Sequence, residues 1–573
     1  MQRKWHLAAI GLLAIAIGSL VAYITQTTGG IQIRDVRFAG KNGNIMSALL
    51  YIPPNATSRT PAPGILAVHG YINSRETQSG FAIEFARRGY VVLALDQTGH
   101  GYSDPPAFAN GFGGPDGLAY LRSLDIVDKS NIGLEGHSMG GWTILAAAAA
   151  MPDAYKAIVL EGSSVGAPRA SEGTPTWPRN LALVYSKYDE FSQLMWDVAR
   201  ARDVGNSPKL LKLFGTTQPV KPGDVYGNIA EGTARVLYAP AVTHPGDHIS
   251  SEAIGYSIDW FAKTLNGGTP LPSSDQIWFR KEFGTLIAFA GFVAFLLGVF
   301  RLLLDLPAFS GLAVDPGGVQ VEPSARGRSW WAALLVTAFM PAILYYPVFS
   351  LAGSFVPPSS ALPQGITNQI AVWVLVNAVI SFFLTKKAPV GRLSQAAIMP
   401  SIFIGLTTVA IAYLSLVLAD LLFKVDFRFW IVALKLLSGK QALMFAIYLL
   451  PFLAFFIVAF RSIRLTLYRP GEPATVTYLT CVAAFSLGFA VLCLVQYGAL
   501  WLNGKLIDPL PDLIQAVSLN SIVALQFVVV LAVIGIIAAF TMRRTSSSLP
   551  GAVMCALFVT WYVVAGQATQ AAF

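Results

Sequence analysis

Gly136-His137-Ser138-Met139-Gly140-Gly141 decides how this chain is read. The Gly-x-Ser-x-Gly pattern puts a serine on a sharp strand-to-helix turn, with its hydroxyl exposed at the edge of a sheet. The flanks agree with that geometry. Ile132-Gly133-Leu134-Glu135 is a short apolar run that predicts a buried strand, and the alanine-rich Gly140–Met151 predicts a helix.

The same alternation continues outward from the turn. Ile31–Phe38 and Ile45–Ile52 alternate apolar and polar residues, as an antiparallel hairpin does. Pro63–Val68 and Tyr90–Leu95 are continuous apolar runs, the mark of strands buried on both faces. Ala157–Glu161, Leu181–Tyr185 and Ala234–Tyr238 supply further strands; helices are expected at Glu76–Gly89, Asp116–Leu124 and Gly255–Leu265. Phe191–Val204 reads as helical, and Ser207–Phe214 as either a lid facing the bilayer or an ordinary crossover. The fold class is α/β, with a mostly parallel sheet covered on both faces. Chemistry in such sheets sits at the carboxyl ends of strands. His69-Gly70, the Asp96–Ser103 turn and the Ser138 turn all fall there.

The order His69-Gly70, then Asp-x-x-Gly-His-Gly-x-Ser from Asp96, then Gly-His-Ser-Met-Gly-Gly resembles the α/β-hydrolase superfamily. The likeness is to its lipase, esterase, dienelactone-hydrolase and serine-aminopeptidase branches, and it covers residues of about 30–270. It implies that Ser138 is a nucleophile followed in the chain by an acid and then a histidine. The histidine would take the serine's proton and the acid would orient the histidine. Asp189, after the Leu181–Tyr185 run, is the expected acid; Glu161, after the preceding strand, is the alternative. Glu190 is expected to be a solvated charge. Two histidines stand between the last strand and the last helix. His248, nearest the helix that starts at about Ser250, is the expected base, and His244 is the alternative. The backbone N–H groups of Met139 and Tyr71 are the expected oxyanion donors. His69, His100 and His137 are expected to brace turns, and Asn73 and Arg75 to serve a helix start rather than an anionic substrate. The His244–His248 cluster has no further Cys or His run near it, so no metal and no cofactor are expected.

The remainder of the chain has a different composition. Over all 573 residues, 54% are hydrophobic and 12% charged, against about 25% charged in a soluble chain. Residues 30–275 carry a net charge of −2 and the rest +11, so the basic balance belongs to the apolar part and gives no support for nucleic-acid binding. Leu7–Ile24 follows Gln2-Arg3-Lys4 and reads as a retained anchor with a cytoplasmic N-terminus, rather than a cleaved signal peptide. Eight further spans are expected at about 283–304, 330–351, 366–385, 396–421, 441–460, 474–501, 515–541 and 550–570. Arg301, Arg326, Arg328, Lys386, Lys387, Arg392, Arg461, Arg464, Arg469, Arg543 and Arg544 then fall in cytoplasmic loops. Val356–Gly365 on the other side has no Lys or Arg, and Asn503–Asp512 has only Lys505, which obeys the positive-inside rule. Nine spans place the C-terminus outside. Phe423–Lys440 departs from the rule with Lys424, Arg428, Lys435 and Lys440, and is read as an interfacial helix, or else as a miscounted span. Cys481, Cys493 and Cys555 lie in apolar stretches and read as buried or lipid-facing. Asp420 is the main ionisable residue within the spans; with no repeat and no proton-relay pattern, this half reads as a scaffold.

Three regions follow: an anchor over 1–29, an extracytoplasmic α/β-hydrolase domain over 30–275, and a membrane domain of about eight helices over 276–573. The expected activity is that of a carboxylesterase- or lipase-like serine hydrolase in the plasma membrane. It would cleave an ester, thioester or amide through an acyl-enzyme on Ser138, with small-molecule or lipid ester substrates. The alternatives are an acyltransferase with the same three residues, or a transporter or receptor whose hydrolase-like domain binds ligand. The sequence leaves the oligomeric state open.

Overall fold

The computed structural model describes residues 5–166, 168–314, 326–386, 395–509, 511, 516–566 and 569–570. Lys387, Arg392 and Asp512 of the loops discussed above lie outside the described residues.

The chain begins with helix α1 (His6–Gln26) and then forms a nine-stranded sheet. Its strands are β1 (Gln32–Ala39), β2 (Ile45–Ile52), β3 (Ala62–Val68), β4 (Val91–Asp96), β5 (Val127–His137), β6 (Ala157–Glu161), β7 (Leu181–Val184), β8 (Val225–Tyr226) and β9 (Arg235–Tyr238). The order is β1-β2-β4-β3-β5-β6-β7-β9-β8. β4 through β9 in that order run parallel, while β1, β2 and β8 are antiparallel to their neighbours. The edge strand β8 is two residues long and left no signal in the sequence.

Parallel strands need crossovers, and these cover both faces. On one face lie α3 (Gly114–Ser123) and α4 (Met139–Ala150), and on the other α2 (Ser79–Arg87) and α7 (Ser251–Thr264). The continuous apolar runs of β3 and β4 are buried at every position, as strands between two helical layers must be. The stretch read as one helix over 191–204 holds only the short α5 (Ser192–Trp196), followed by a 3-10 turn at Ala201–Asn206 and then α6 (Pro208–Phe214).

The membrane half comprises α8 (Trp278–Leu303), α9 (Arg328–Ile343), α10 (Tyr345–Phe355), α11 (Gly365–Thr385), α12 (Gln395–Phe423), α13 (Gly439–Thr466), α14 (Ala474–Asn503), α15 (Val517–Met542) and α16 (Leu549–Gly566). Eight helices among the described residues, α1 included, are long and apolar enough to cross a bilayer; α9 and α10, bent by 44°, make a ninth if they form one span. A chain with this many such helices is an integral membrane protein.

α1 and α8 lie side by side, antiparallel, with backbones in contact. A β-carbon on Gly291 would stand 2.8 Å from the carbonyl oxygen of Gly11, and one on Gly284 2.7 Å from that of Gly18. Small residues let membrane helices approach this closely.

One expectation fails in this half. Between the end of α12 at Phe423 and the start of α13 at Gly439 there is no further helix; the stretch forms a hairpin of β10 (Phe427–Phe429) and β11 (Val432–Leu434). Aromatic and β-branched residues on both arms favour strands, and the two-residue turn is made by Trp430, at φ 52°, and Ile431. The hairpin docks on the sheet domain. Trp430 Nε1 donates to the Pro245 carbonyl at 2.9 Å, and Tyr102 Oη donates to the Leu436 carbonyl at 3.1 Å. Each basic residue that broke the charge rule has an acidic partner: Lys435 with Glu76 (2.7 Å), Lys440 with Asp104 (2.8 Å), Lys424 with Asp420 (2.9 Å) and Arg428 with Asp426 (2.6 Å).

Candidate active site

The elements explain where the chemistry collects. Ser138 directly follows β5 and caps α4, with φ 56° and ψ −122°. That left-handed backbone is strained for a serine. The crossing helix is tight: a β-carbon on Gly140 would run into the carbonyl of Val68. The loop after β3 comes just as close, since a β-carbon on Gly70 would lie 3.0 Å from that of Ser138. Tyr71, the next residue, and Met139, the first residue of α4, line the same cavity as Ser138. The two expected oxyanion donors therefore border the serine.

Asp189 lies beyond β7, buried at 1% exposure. Three donors fix its carboxylate: the Phe191 N–H (2.7 Å) and Tyr185 Oη (3.2 Å) reach Oδ1, and Oδ2 meets Nδ1 of His244 at 2.7 Å. The histidine expectation is thereby corrected. His244, not His248, pairs with the acid and also lines the cavity that holds Ser138. His248 stands at the other end of the same turn, His244–Ile249. Its ring packs on His137 (centroids 4.1 Å apart) and on Phe81 (6.2 Å), and neither of its nitrogens has a hydrogen-bond partner.

Electrostatics separate the two rings further. Burial opposes protonation of His244, but the adjacent Asp189 charge and hydrogen bond outweigh it and raise the imidazole above its ordinary value. His248 is held well below the ordinary value by burial and by nearby His137, His244 and Arg428, so it stays neutral. Glu161 is not part of this arrangement. Its carboxylate accepts from Ser257 on α7, while its backbone carbonyl accepts from the Ser138 N–H at 2.8 Å.

Glu190 is also corrected. It is buried at 8% exposure rather than solvated, and burial followed by the Asp189 charge pushes it up to about 7. Its Oε2 accepts the His244 backbone N–H at 2.8 Å, and its own carbonyl accepts from Ser518 of α15 at 2.5 Å. His137 carries more than a turn-bracing role, since its Nε2 bonds the His244 carbonyl at 2.9 Å. His69 and His100 brace their loops as expected, through the Gly70 carbonyl (2.7 Å) and the Thr98 carbonyl (3.0 Å). Arg75 is buried in bonds to Asp35 (2.7 Å) and Glu76 (3.2 Å) and does not line the Ser138 cavity; Asn73 does. Among the described residues no cluster of His, Cys, Asp or Glu has the arrangement of a metal site.

The cavity in front of Ser138 measures about 440 Å³. Part of its wall was not foreseen: Ile431 of the hairpin and Leu519, Ile522 and Gln526 of α15 come from the membrane half. Residues separated by nearly 400 positions in the chain leave no joint signal in sequence.

Residues 63–194 match the family model of the alpha/beta hydrolase fold. This is an α/β-hydrolase domain. Among curated proteins, an uncharacterised protein of Mycobacterium tuberculosis is 31% identical over 106 residues, covering 17% of this chain and 28% of that protein. The 2-hydroxy-6-oxononadienedioate/2-hydroxy-6-oxononatrienedioate hydrolase of Cupriavidus pinatubonensis is 35% identical over 102 residues, covering 18% of this chain and 35% of that protein. The chain thus spans about a third of the length of these relatives. Among solved structures, the Pyrococcus furiosus esterase Pf2001 is 15% identical with a TM-score of 0.31, covering 42% of this chain and 96% of that one. The thioesterase domain from the curacin biosynthetic pathway is 16% identical with a TM-score of 0.26, covering 40% of this chain and 99% of that one.

Proposed function

We propose that the α/β-hydrolase domain is a serine hydrolase that cleaves an ester, thioester or amide through an acyl-enzyme on Ser138. The observation that carries this reading is the 2.7 Å pair of Asp189 and His244, opening on the cavity that Ser138 lines. His244 Nε2 takes the proton as Ser138 Oγ attacks the carbonyl carbon. Asp189 keeps the other proton on Nδ1 and stabilises the imidazolium. The N–H groups of Tyr71 and Met139 hold the negative charge that develops on the carbonyl oxygen. His244 then gives its proton to the leaving group, and water activated by the same imidazole releases the acid.

The domain faces the extracytoplasmic side of the plasma membrane, with the N-terminus in the cytoplasm. In support, arginines gather at the bundle end remote from the sheet: Arg326 pairs with Glu472 at 2.9 Å, Arg543 reaches the Glu472 carbonyl, and the Arg544 carbonyl accepts from Val314. Gln570 exchanges backbone hydrogen bonds with Gly99 (2.7 Å) and Ala107 (2.8 Å), which puts it on the same side as the domain.

A fluorophosphonate probe tests the chemistry. Wild type should be labelled and Ser138→Ala should not. Equal labelling of the two, or none of either, sinks the proposal. Reporter fusions after Leu303 and after Asn503 test the orientation; a periplasmic-type signal from the first would reverse it.

A further inference from the structure

The cavity before Ser138 has two walls drawn from different halves of the chain. One carries Ser138, His244 and His248; the other is Ile431 and the α15 residues Leu519, Ile522 and Gln526. α15 is among the helices apolar enough to span a bilayer. Leu519 and Gln526 are two turns apart, about 10 Å along the axis at 1.5 Å per residue. The cavity therefore continues down the side of a membrane span. At its deeper edge the one polar side chain, Gln526, already accepts from Tyr562 Oη at 2.6 Å. What remains along this arm is apolar, and it suits a hydrocarbon chain better than a solvated group.

The sheet-domain wall is mixed, with Phe108, Trp142 and Phe191 beside Asn73, Arg169 and the histidines. His248 is more than nine-tenths buried, lines the cavity, and leaves both ring nitrogens without a partner. A buried polar group left in this state costs its desolvation unless something entering the cavity satisfies it. A neutral imidazole offers one N–H and one lone pair, which complement the acceptor and donor of a hydroxyl.

We propose that this site acts on an ester drawn from the bilayer, whose long apolar chain lies along Ile431, Leu519 and Ile522 and whose hydroxyl-bearing polar part hydrogen-bonds His248. The membrane half is then part of the substrate site rather than only its support. The proposal rests on the reading of Ser138 as nucleophile. It requires no step beyond the acyl-enzyme chemistry already given.

The test uses the full chain in lipid nanodiscs, with fluorophosphonates carrying an ethyl or a hexadecyl chain. The chain is placed on phosphorus in one series, to mimic an acyl group, and on the ester oxygen in the other, to mimic an alcohol. The hexadecyl probe is expected to label wild type at least about tenfold faster than the ethyl probe in one series, and Ile522→Trp to cut that ratio by about tenfold. Ile431→Trp, outside the span, gives the same readout should Ile522→Trp not fold. His248→Phe is expected to reduce by about tenfold the preference for a glyceryl over a methyl ester of the same fatty acid. A ratio near one in wild type, or one unmoved by both tryptophan variants, overturns the chain assignment. A glyceryl preference unchanged in His248→Phe, or absent from wild type, overturns the polar contact. Failure of the nucleophile reading looks different: no probe of either length labels wild type, or Ser138→Ala labels equally.

Discussion

Two histidines four residues apart have different fates because only one ring reaches Asp189. Replacing His244 with alanine removes the proposed base, and kcat should fall on the order of 10⁴-fold, the scale set by loss of a triad member. His248→Ala should lose far less in kcat and show its effect mainly in KM; a reversed ranking in steady-state kinetics would return the role to His248. The pH profile follows from the same pair. His244 must be neutral to accept the serine proton, and Asp189 raises its proton affinity. Activity should therefore rise with pH along a limb lying above the roughly 6.5 of a free imidazole. Asp189→Asn removes the charge that raises it, so the limb should move to lower pH while kcat drops. The positions of Ser138, directly after β5, and of Asp189, in the loop after β7, were legible from sequence as strand ends. The histidine was not, because proximity to the next helix says nothing about which ring a 3-10 turn aims at the acid. The burial of Glu190 was not legible for another reason: part of its surroundings, Ser518 of α15, lies more than 300 residues away.

Among the elements, the β10–β11 hairpin is the joint between the halves. Hydropathy located the spans to within a few residues, since chain length across a bilayer is a one-dimensional quantity. It failed at Phe423–Lys440, where the apolar core at 427–432 reads as an interfacial helix; the four cations there are matched by Glu76 and Asp104 of the sheet domain and by the nearby Asp420 and Asp426. In the Lys435–Glu76 pair the lysine is buried and the glutamate largely so, at 15% side-chain exposure, and removing one member of a buried pair typically costs about 3–5 kcal/mol. Lys435→Met should therefore lower the midpoint of thermal unfolding in detergent by several degrees. The double variant Lys435→Met with Glu76→Gln should recover part of that loss. If the single variant melts with wild type, the hairpin is not held by this pair.

The whole molecule is organised by the antiparallel contact of α1 with α8. A side chain at Gly291 would meet the backbone of Gly11 and Ile15 at 2.8 Å. Gly291→Leu should force the helices apart at a cost of about 1–3 kcal/mol, read as a lowered unfolding midpoint and faster proteolysis of the 27–277 segment. An unchanged midpoint would mean that the pair bears no load.

Because these helices touch, residues 27–277 leave the bilayer and return to it at one spot. Topologically the sheet domain is the loop of a two-helix hairpin. Closing a floppy loop of that length would cost about 5 kcal/mol in chain entropy, but a folded domain has already brought its ends together. The order of events during synthesis follows. α1 enters the membrane with its glycine face unoccupied and waits there while the sheet domain is made and folds; only then does α8 arrive to fill it. A sheet domain that fails to fold thus leaves the two helices to find each other across a floppy loop, at that entropic cost.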